Sequence, residues 1–170
     1  MVRIEPASRA WLDALLVDDA TFTERFGIGV VDGWTADFPG ITKWALERLD
    51  AGADPAWGIH LFFDDDVDGA LVGNGGWKGP PVDGAAELGY AVSESRRGRG
   101  IATSVVRQLL DQASERGLTR VIADTLPETS ASTSVLLRCG FVRAGEVVDP
   151  EEGSVWRWET TVVPRDSATR

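Results

Sequence analysis

This 170-residue chain has only one cysteine, one histidine, one methionine and one tyrosine. A single cysteine, Cys139, excludes an intramolecular disulfide, so nothing argues for an oxidising compartment. With one cysteine and one histidine there is no Cys/His cluster with metal-ligand spacing, and no metal is expected. No stretch approaches the roughly 18 to 20 uninterrupted apolar residues of a membrane span. The opening "MVRIEPASRA" lacks the apolar centre of a signal peptide. A cytoplasmic protein without membrane contact is the expectation. Positive charge is also short, with 17 basic against 27 acidic residues and a net charge of −10. That balance disfavours broad binding to nucleic acid or an anionic membrane and slightly favours a cationic substrate.

What is present is enough for a core: 43% hydrophobic residues in a chain of ordinary single-domain length. Seven tryptophans are many. Most are expected inside, and Trp34 and Trp77, each beside glycine, are candidates to line a pocket. The acidic runs Asp64-Asp65-Asp66 and Glu151-Glu152 read as solvated turns. His60 lies in an apolar strand and reads as a structural residue.

The hydrophobic period divides the chain. "VRIEPAS" is a short strand, and "SRAWLDALLVDD" carries Trp11, Leu12, Leu15 and Leu16 at helical spacing behind a capping Ser8. A second helix is expected from about Ile41 to Asp50, ended by Gly52. "AWGIHLFFD", "ALVGNGGWKG" and "AAELGYAVS" are strands whose connections are too short for crossovers, so they form an antiparallel meander. From Gly100 the period is helical, with Ile101, Val105, Leu109, Leu110 and Ala113 on one face and Gly117 at the C-cap. "TRVIADT" is a strand, a short helix holds Val135 and Leu136, and "FVRAGEVV" with "SVWRWETTVV" closes the chain as a hairpin. The order is β-α-α-β-β-β-α-β-α-β-β. The helix between the third meander strand and "TRVIADT" demands a crossover. The fold class is therefore α/β (α+β): one domain over 1–170 with a mixed, mostly antiparallel sheet flanked by helices.

The stretch "YAVSESRRGRGIATSVVRQLL", Tyr90 to Leu110, runs a strand through arginines and glycines directly into an amphipathic helix. A helix N-terminus carries unpaired amides and the positive end of the macrodipole, which suit phosphate. Gly98 and Gly100 allow close backbone approach, and the neighbouring arginines add charge-assisted bonds. The ligand is therefore expected to bear phosphate. "GRGIAT" also resembles a G-x-G-x-x-G dinucleotide fingerprint, but its sixth position is Thr103 and the preceding strand ends a meander, not a first βαβ unit.

"RGRGIA", Arg97 to Ala102, resembles the R/Q-x-x-G-x-G/A signature of the GNAT (Gcn5-related) N-acetyltransferase superfamily. The resemblance continues through "AELGYAVSESRRGRGIATSVVRQLLDQASERG" and "TRVIADTLPETSASTSVLLRCGFVRAGE", with the core motif over about 84–145. "E-L-G-Y-x-V" and "S-x-x-V-L-x-x-x-G-F" resemble the branch of the ribosomal-protein N-terminal acetyltransferases.

The resemblance implies transfer of an acetyl group from acetyl-CoA to an amine, by direct attack in a ternary complex. It implies that the amides of Arg97, Gly98, Arg99, Gly100, Ile101 and Ala102 hold the pyrophosphate and that Thr103 adds an amide or hydroxyl. Tyr90, Ala91 and Val92 would pair with the pantetheine arm where the sheet splays, with the Val92 N–H as oxyanion partner. Glu87 is the candidate general base, because the amine must lose a proton to react. Period-2 alternation puts Tyr90 on the face opposite Glu87, as wall or core. The family's tyrosine on the helix before "GF" is absent from "SVLLRCG". Of its Asn-x-x-Ser motif only the serine, Ser132, is present, with Thr129 at the asparagine position. Ser132 is assigned to the thiol or pantetheine, and Cys139 reads as a core residue. Two rivals share the fold: a non-catalytic acyl-CoA-binding domain, and an acyltransferase with a longer donor or a hydroxyl acceptor. The acceptor itself, shaped by Phe22 to Gly40 and the last hairpin, carries no readable motif; a protein N-terminus and a small amine both fit. A monomer or homodimer is expected.

Overall fold

A computed structural model of the chain describes residues 1–32 and 39–165. Trp34 and the centre of the Phe22–Gly40 segment lie outside the described residues. Seven strands form one mixed sheet, and among the described residues five α-helices accompany it. The strands are β1 (Val2–Pro6), β2 (Ile59–Asp64), β3 (Ala70–Trp77), β4 (Ala85–Val92), β5 (Arg120–Thr125), β6 (Val142–Asp149) and β7 (Gly153–Thr161). The helices are α1 (Arg9–Val17), α2 (Asp19–Phe26), α3 (Pro39–Asp50), α4 (Ile101–Glu115) and α5 (Ala131–Arg138). Hydrogen-bonded strand order is β1-β2-β3-β4-β5-β7-β6. The chain groups into two compact units, Met1–Trp77 with Tyr90–Ile101, and Lys78–Gly89 with Ala102–Arg170. No helix among the described residues is long and apolar enough to cross a membrane.

In the first unit, β1 pairs antiparallel with β2 from Val2↔Asp64 to Pro6↔His60. Pro6 is tolerated there because β1 is the sheet's edge strand. The helix α2 was not foreseen: "DATFTERF" is mostly polar, and only Phe22 is fully buried. Its ends define it. Asp18 accepts the Thr21 N–H at 2.7 Å, and Gly27 closes the helix at φ 67°. Trp11, Phe22, Phe26 and Phe63 interlock edge-to-face and tilted, with centroids 5.2 to 6.4 Å apart. Leu12, Leu15, Leu46, Leu61 and Leu71 complete this core. Trp77 is fully buried against Trp57, 5.6 Å away, so it serves the core and not a pocket wall. His60 is likewise fully buried, with Nδ1 3.1 Å from the Gly58 carbonyl.

In the second unit, β4 and β5 run parallel from Ala85↔Arg120 to Leu88↔Ala123, which is the crossover that α4 requires. Helix α4 buries Val105, Val106, Leu109 and Ala113, and Val121, Ala123, Leu136, Phe141 and Trp158 are buried in the same unit. Val106 takes the fully buried place the sequence pattern gave to Leu110, which is half-buried. The hairpin β6–β7 turns where Asp149 accepts the amides of Glu151 and Glu152 at 2.8 and 2.9 Å.

Candidate functional site

After β4 the chain makes a single 3-10 turn, Glu94–Arg96, and then the loop that opens α4. The three arginines crowded there have different jobs. Arg96 points inward: its Nη2 lies 2.6 Å from Asp64 Oδ2, and the two side chains are 11% and 2% exposed. This corrects the reading of Asp64-Asp65-Asp66 as a wholly solvated turn, because Asp64 is a buried carboxylate and only Asp65 and Asp66 face water. Burial pushes the Asp64 carboxyl up, but the hydrogen bonds from Arg96 and the Asp66 amide, with the charges of Arg96 and the N-terminus, hold it below the ordinary carboxylate value. Arg97 is exposed and its Nε donates to the Val92 carbonyl at 3.0 Å, fixing the start of the loop. Arg99 is exposed.

Gly98 and Gly100 have φ of 72° and 78°, and a Cβ built on either meets nothing within 4 Å. Glycine is therefore required for its left-handed backbone, and the space beside it is open. The amides of the first turn of α4, from Ile101 through Thr103, have no partner within the helix. Two left-handed glycines, two exposed guanidinium groups and a helix N-terminus thus follow one another along the chain.

Strand β4 presents a second element. Lys78 N–H donates to the Glu87 carbonyl at 2.9 Å and Ser93 N–H to the Val72 carbonyl at 2.8 Å, so β3 and β4 keep one register at both ends. Odd-numbered residues of β4 thus turn their backbone groups toward β3. The N–H groups of Tyr90 and Val92 point away from it. The parallel pairs with β5 reach Leu88↔Ala123, while β4 itself continues to Val92.

Glu87 is partly buried, 26% exposed, and ion-paired with Lys78 Nζ. Lys78 was not anticipated; it lies in the β3–β4 connection, where no motif marks it. Its Cε stands 3.7 Å from where a Cβ on Gly89 would be, so a glycine there leaves room for the lysine to lie along the strand. Two positions along β5 from Ile122, which faces Glu87, Asp124 is gripped by Arg157 through Nε at 3.0 Å and Nη2 at 2.9 Å. Ser132 is exposed at the start of α5, and Thr129 is exposed before it. The neighbouring Ser130 and Thr133 cap the helix reciprocally. Cys139 ends α5 with Sγ 3.8 Å from the Thr103 carbonyl. Burial pushes its thiol above the usual value, partly opposed by Arg107.

A mixed sheet with a parallel β4–α4–β5 step and a glycine-arginine loop at the head of α4 defines an acyltransferase-type fold of the GNAT class. The family model for the acetyltransferase (GNAT) domain matches residues 3–142, and the chain belongs to that family. Among curated proteins, a probable glucosamine 6-phosphate N-acetyltransferase 2 of Oryza sativa subsp. japonica is 38% identical over 66 residues. That match spans 36% of this chain and 38% of the rice protein, well under two thirds of its length. Among solved structures, the spermidine/spermine N-acetyltransferase SpeG of Vibrio cholerae is similar with a TM-score of 0.66 at 15% identity, covering 94% of this chain and 92% of that one. RimL, a ribosomal L7/L12 alpha-N-protein acetyltransferase solved with coenzyme A, gives 0.67 at 18% identity, covering 95% and 94%. Identities this low establish the shared fold.

Proposed function

We propose that the protein is an acetyl-CoA-dependent N-acetyltransferase acting on a primary amine, and that its whole length serves as one catalytic domain. The observation that carries this reading is the loop Arg97–Thr103, whose glycines keep a left-handed backbone with open space beside them at the start of α4. It fits a pyrophosphate: amides of Gly98 to Ala102 supply donors, Arg97 and Arg99 supply charge, and Thr103 adds a hydroxyl or amide. Bound acetyl-CoA would supply the activated thioester. Tyr90, Ala91 and Val92 would flank the pantetheine arm, since the N–H groups of Tyr90 and Val92 point away from β3. The Val92 N–H is the proposed donor to the carbonyl oxygen.

Glu87 is the proposed base. Val92 lies five positions further on, about 16 Å along an extended strand. A proton leaving the amine therefore reaches Glu87 through ordered water, and the Lys78 ammonium lies beside that carboxylate. Ser132 is exposed at the head of α5 and is proposed to hydrogen-bond the departing thiol, the role left open by the missing tyrosine. The acceptors named for the similar proteins are an amino-sugar phosphate, polyamines and a ribosomal protein's N-terminus. All present a primary amine, which is the part of that chemistry carried over to this chain.

Release of free thiol from acetyl-CoA, measured with and without a panel of primary amines, tests the proposal. Amine-dependent release is expected. Tight binding of acetyl-CoA with no release for any amine would favour a non-catalytic acyl-CoA-binding domain instead.

A further inference from the structure

The whole chain is strongly acidic, yet the sheet face around Glu87 is not. Residues registered across neighbouring strands share a face, so Ala85, Arg120 and Thr161 form one row and Glu87, Ile122 and Glu159 the next. Asp124 and Arg157 form a third row on the same face. On it, Lys78 pairs with Glu87, Arg120 with Glu159 at 3.7 Å, and Arg157 with Asp124 at 2.9 Å. Each of the three cations meets a carboxylate, and Asp149, registered with Gly153 on the same face, adds a fourth carboxylate beside Lys78 and Arg157, so the face carries far less of the acidic excess than the chain as a whole.

Arg157 stands out among the three. Asp124 is only 8% exposed and takes the Nε–Nη2 edge of the guanidinium, while Arg157 itself remains 33% exposed. A fork held along that edge has its Nη1 side turned away from the carboxylate that holds it. Hydrogen bonding by Asp124, against some burial, and the charges of Asp124, Glu87 and Glu159 keep the group firmly cationic. The result is a positioned, partly solvated anion receptor on the face that carries the candidate base. Between Glu87 and Arg157 lie two strand spacings, about 10 Å across the sheet and about 7 Å along it. Their long side chains narrow that gap to the span of a small molecule.

We infer that the acceptor is a small amine carrying its own anionic group, a carboxylate or a phosphate, with the anion held at Arg157 and the amine on the water path that leads to Glu87. The inference rests on the N-acetyltransferase reading and deepens it. It selects against both a polyamine and a protein N-terminus, neither of which brings an anion at a fixed short distance from the amine.

Matched pairs of amines test it: glucosamine 6-phosphate against glucosamine, β-alanine against β-alanine amide, with spermidine and an alanine-initiated peptide as the cationic and macromolecular arms. The expected result is a kcat/KM at least about tenfold higher for the anionic member of one pair, the size of a single charge-assisted hydrogen bond. The phosphate and carboxylate pairs show which anion it is. Arg157→Gln should bring that ratio toward one, Arg157→Lys should restore part of it, and the affinity for acetyl-CoA should stay unchanged. Because Arg157→Gln leaves Asp124 buried without its partner, the double variant Asp124→Asn with Arg157→Gln is measured beside it. Binding of each amine to the protein with CoA, read by calorimetry, gives the same comparison without turnover. Preference for spermidine, the peptide or the neutral members, unaltered by Arg157→Gln, would overturn the inference. Failure of acetyl-CoA to bind would instead overturn the catalytic reading, and the amine titrations would still report on Arg157.

Discussion

Replacing Asp64 by Ala, or Arg96 by Met, should unfold the protein more easily than any change at Arg97 or Arg99. Asp64 and Arg96 are 2% and 11% exposed and 2.6 Å apart, so removing either one strands the other charge in a poorly solvated place. Breaking a buried pair from one side costs about 3 to 5 kcal/mol. For a chain of this size each kcal/mol moves the midpoint by about 2 to 4 °C, so a loss near 3 kcal/mol predicts a fall of about 6 to 12 °C in Tm. Differential scanning calorimetry of both single variants and of the double variant reads it. The double variant should lose much less than the two single losses combined, because no lone charge remains. The carboxyl is held below its unfolded value of about 3.9. The pair's contribution is therefore fully present above that pH and lost only as pH falls through the lower folded value. The gap between wild type and Asp64→Ala should stay constant from neutral pH down to about 4 and close below it. A variant that melts with wild type at pH 7, or a gap that changes between pH 5 and 8, would refute the reasoning.

Gly73→Ala should cost about 2 to 3 kcal/mol, because the added Cβ would lie 2.4 Å from the Ala91 carbonyl oxygen and 2.8 Å from the Phe62 ring; thermal denaturation measures it. Glu87→Gln should lower kcat by about a hundredfold while leaving the affinity for acetyl-CoA nearly intact, as steady-state kinetics beside calorimetry would show. Equal loss of both would assign Glu87 a structural role. Cys139 should react with a maleimide more slowly than free cysteine at neutral pH, since burial keeps its thiol protonated. The rate should rise with pH to a midpoint above the free-thiol value.

Much of this was legible from residue patterns. The period change at Gly100, the 3.6-residue spacing from Ile101 to Ala113 and the short connections around "DDDVDG" and "PPVDG" led directly to α4 and the meander. The crossover followed from needing a helix between β4 and β5. The helix α2 was not legible, because it buries one residue and depends on its caps, Asp18 and Gly27, more than on an apolar stripe. The loop's place and its left-handed glycines could be read because the helix start and the glycines ahead of it are adjacent in the sequence. The role of Arg96 could not, since its partner Asp64 is distant in sequence and sits in a run that looks like a solvated turn. Lys78 at Glu87 and Arg157 at Asp124 were hidden for the same reason: strand register, not sequence spacing, brings them together.

The most direct test is calorimetric titration of acetyl-CoA into wild-type protein and Gly100→Val, with NADH as control. Gly100 sits at φ 78° with open space beside it, so a valine must both adopt a strained backbone and fill the seat proposed for the pyrophosphate. The account predicts micromolar binding of acetyl-CoA to wild type, none of NADH, and at least about a hundredfold weaker binding to a variant that remains folded. No heat with acetyl-CoA, or equal affinity in the folded variant, would contradict it.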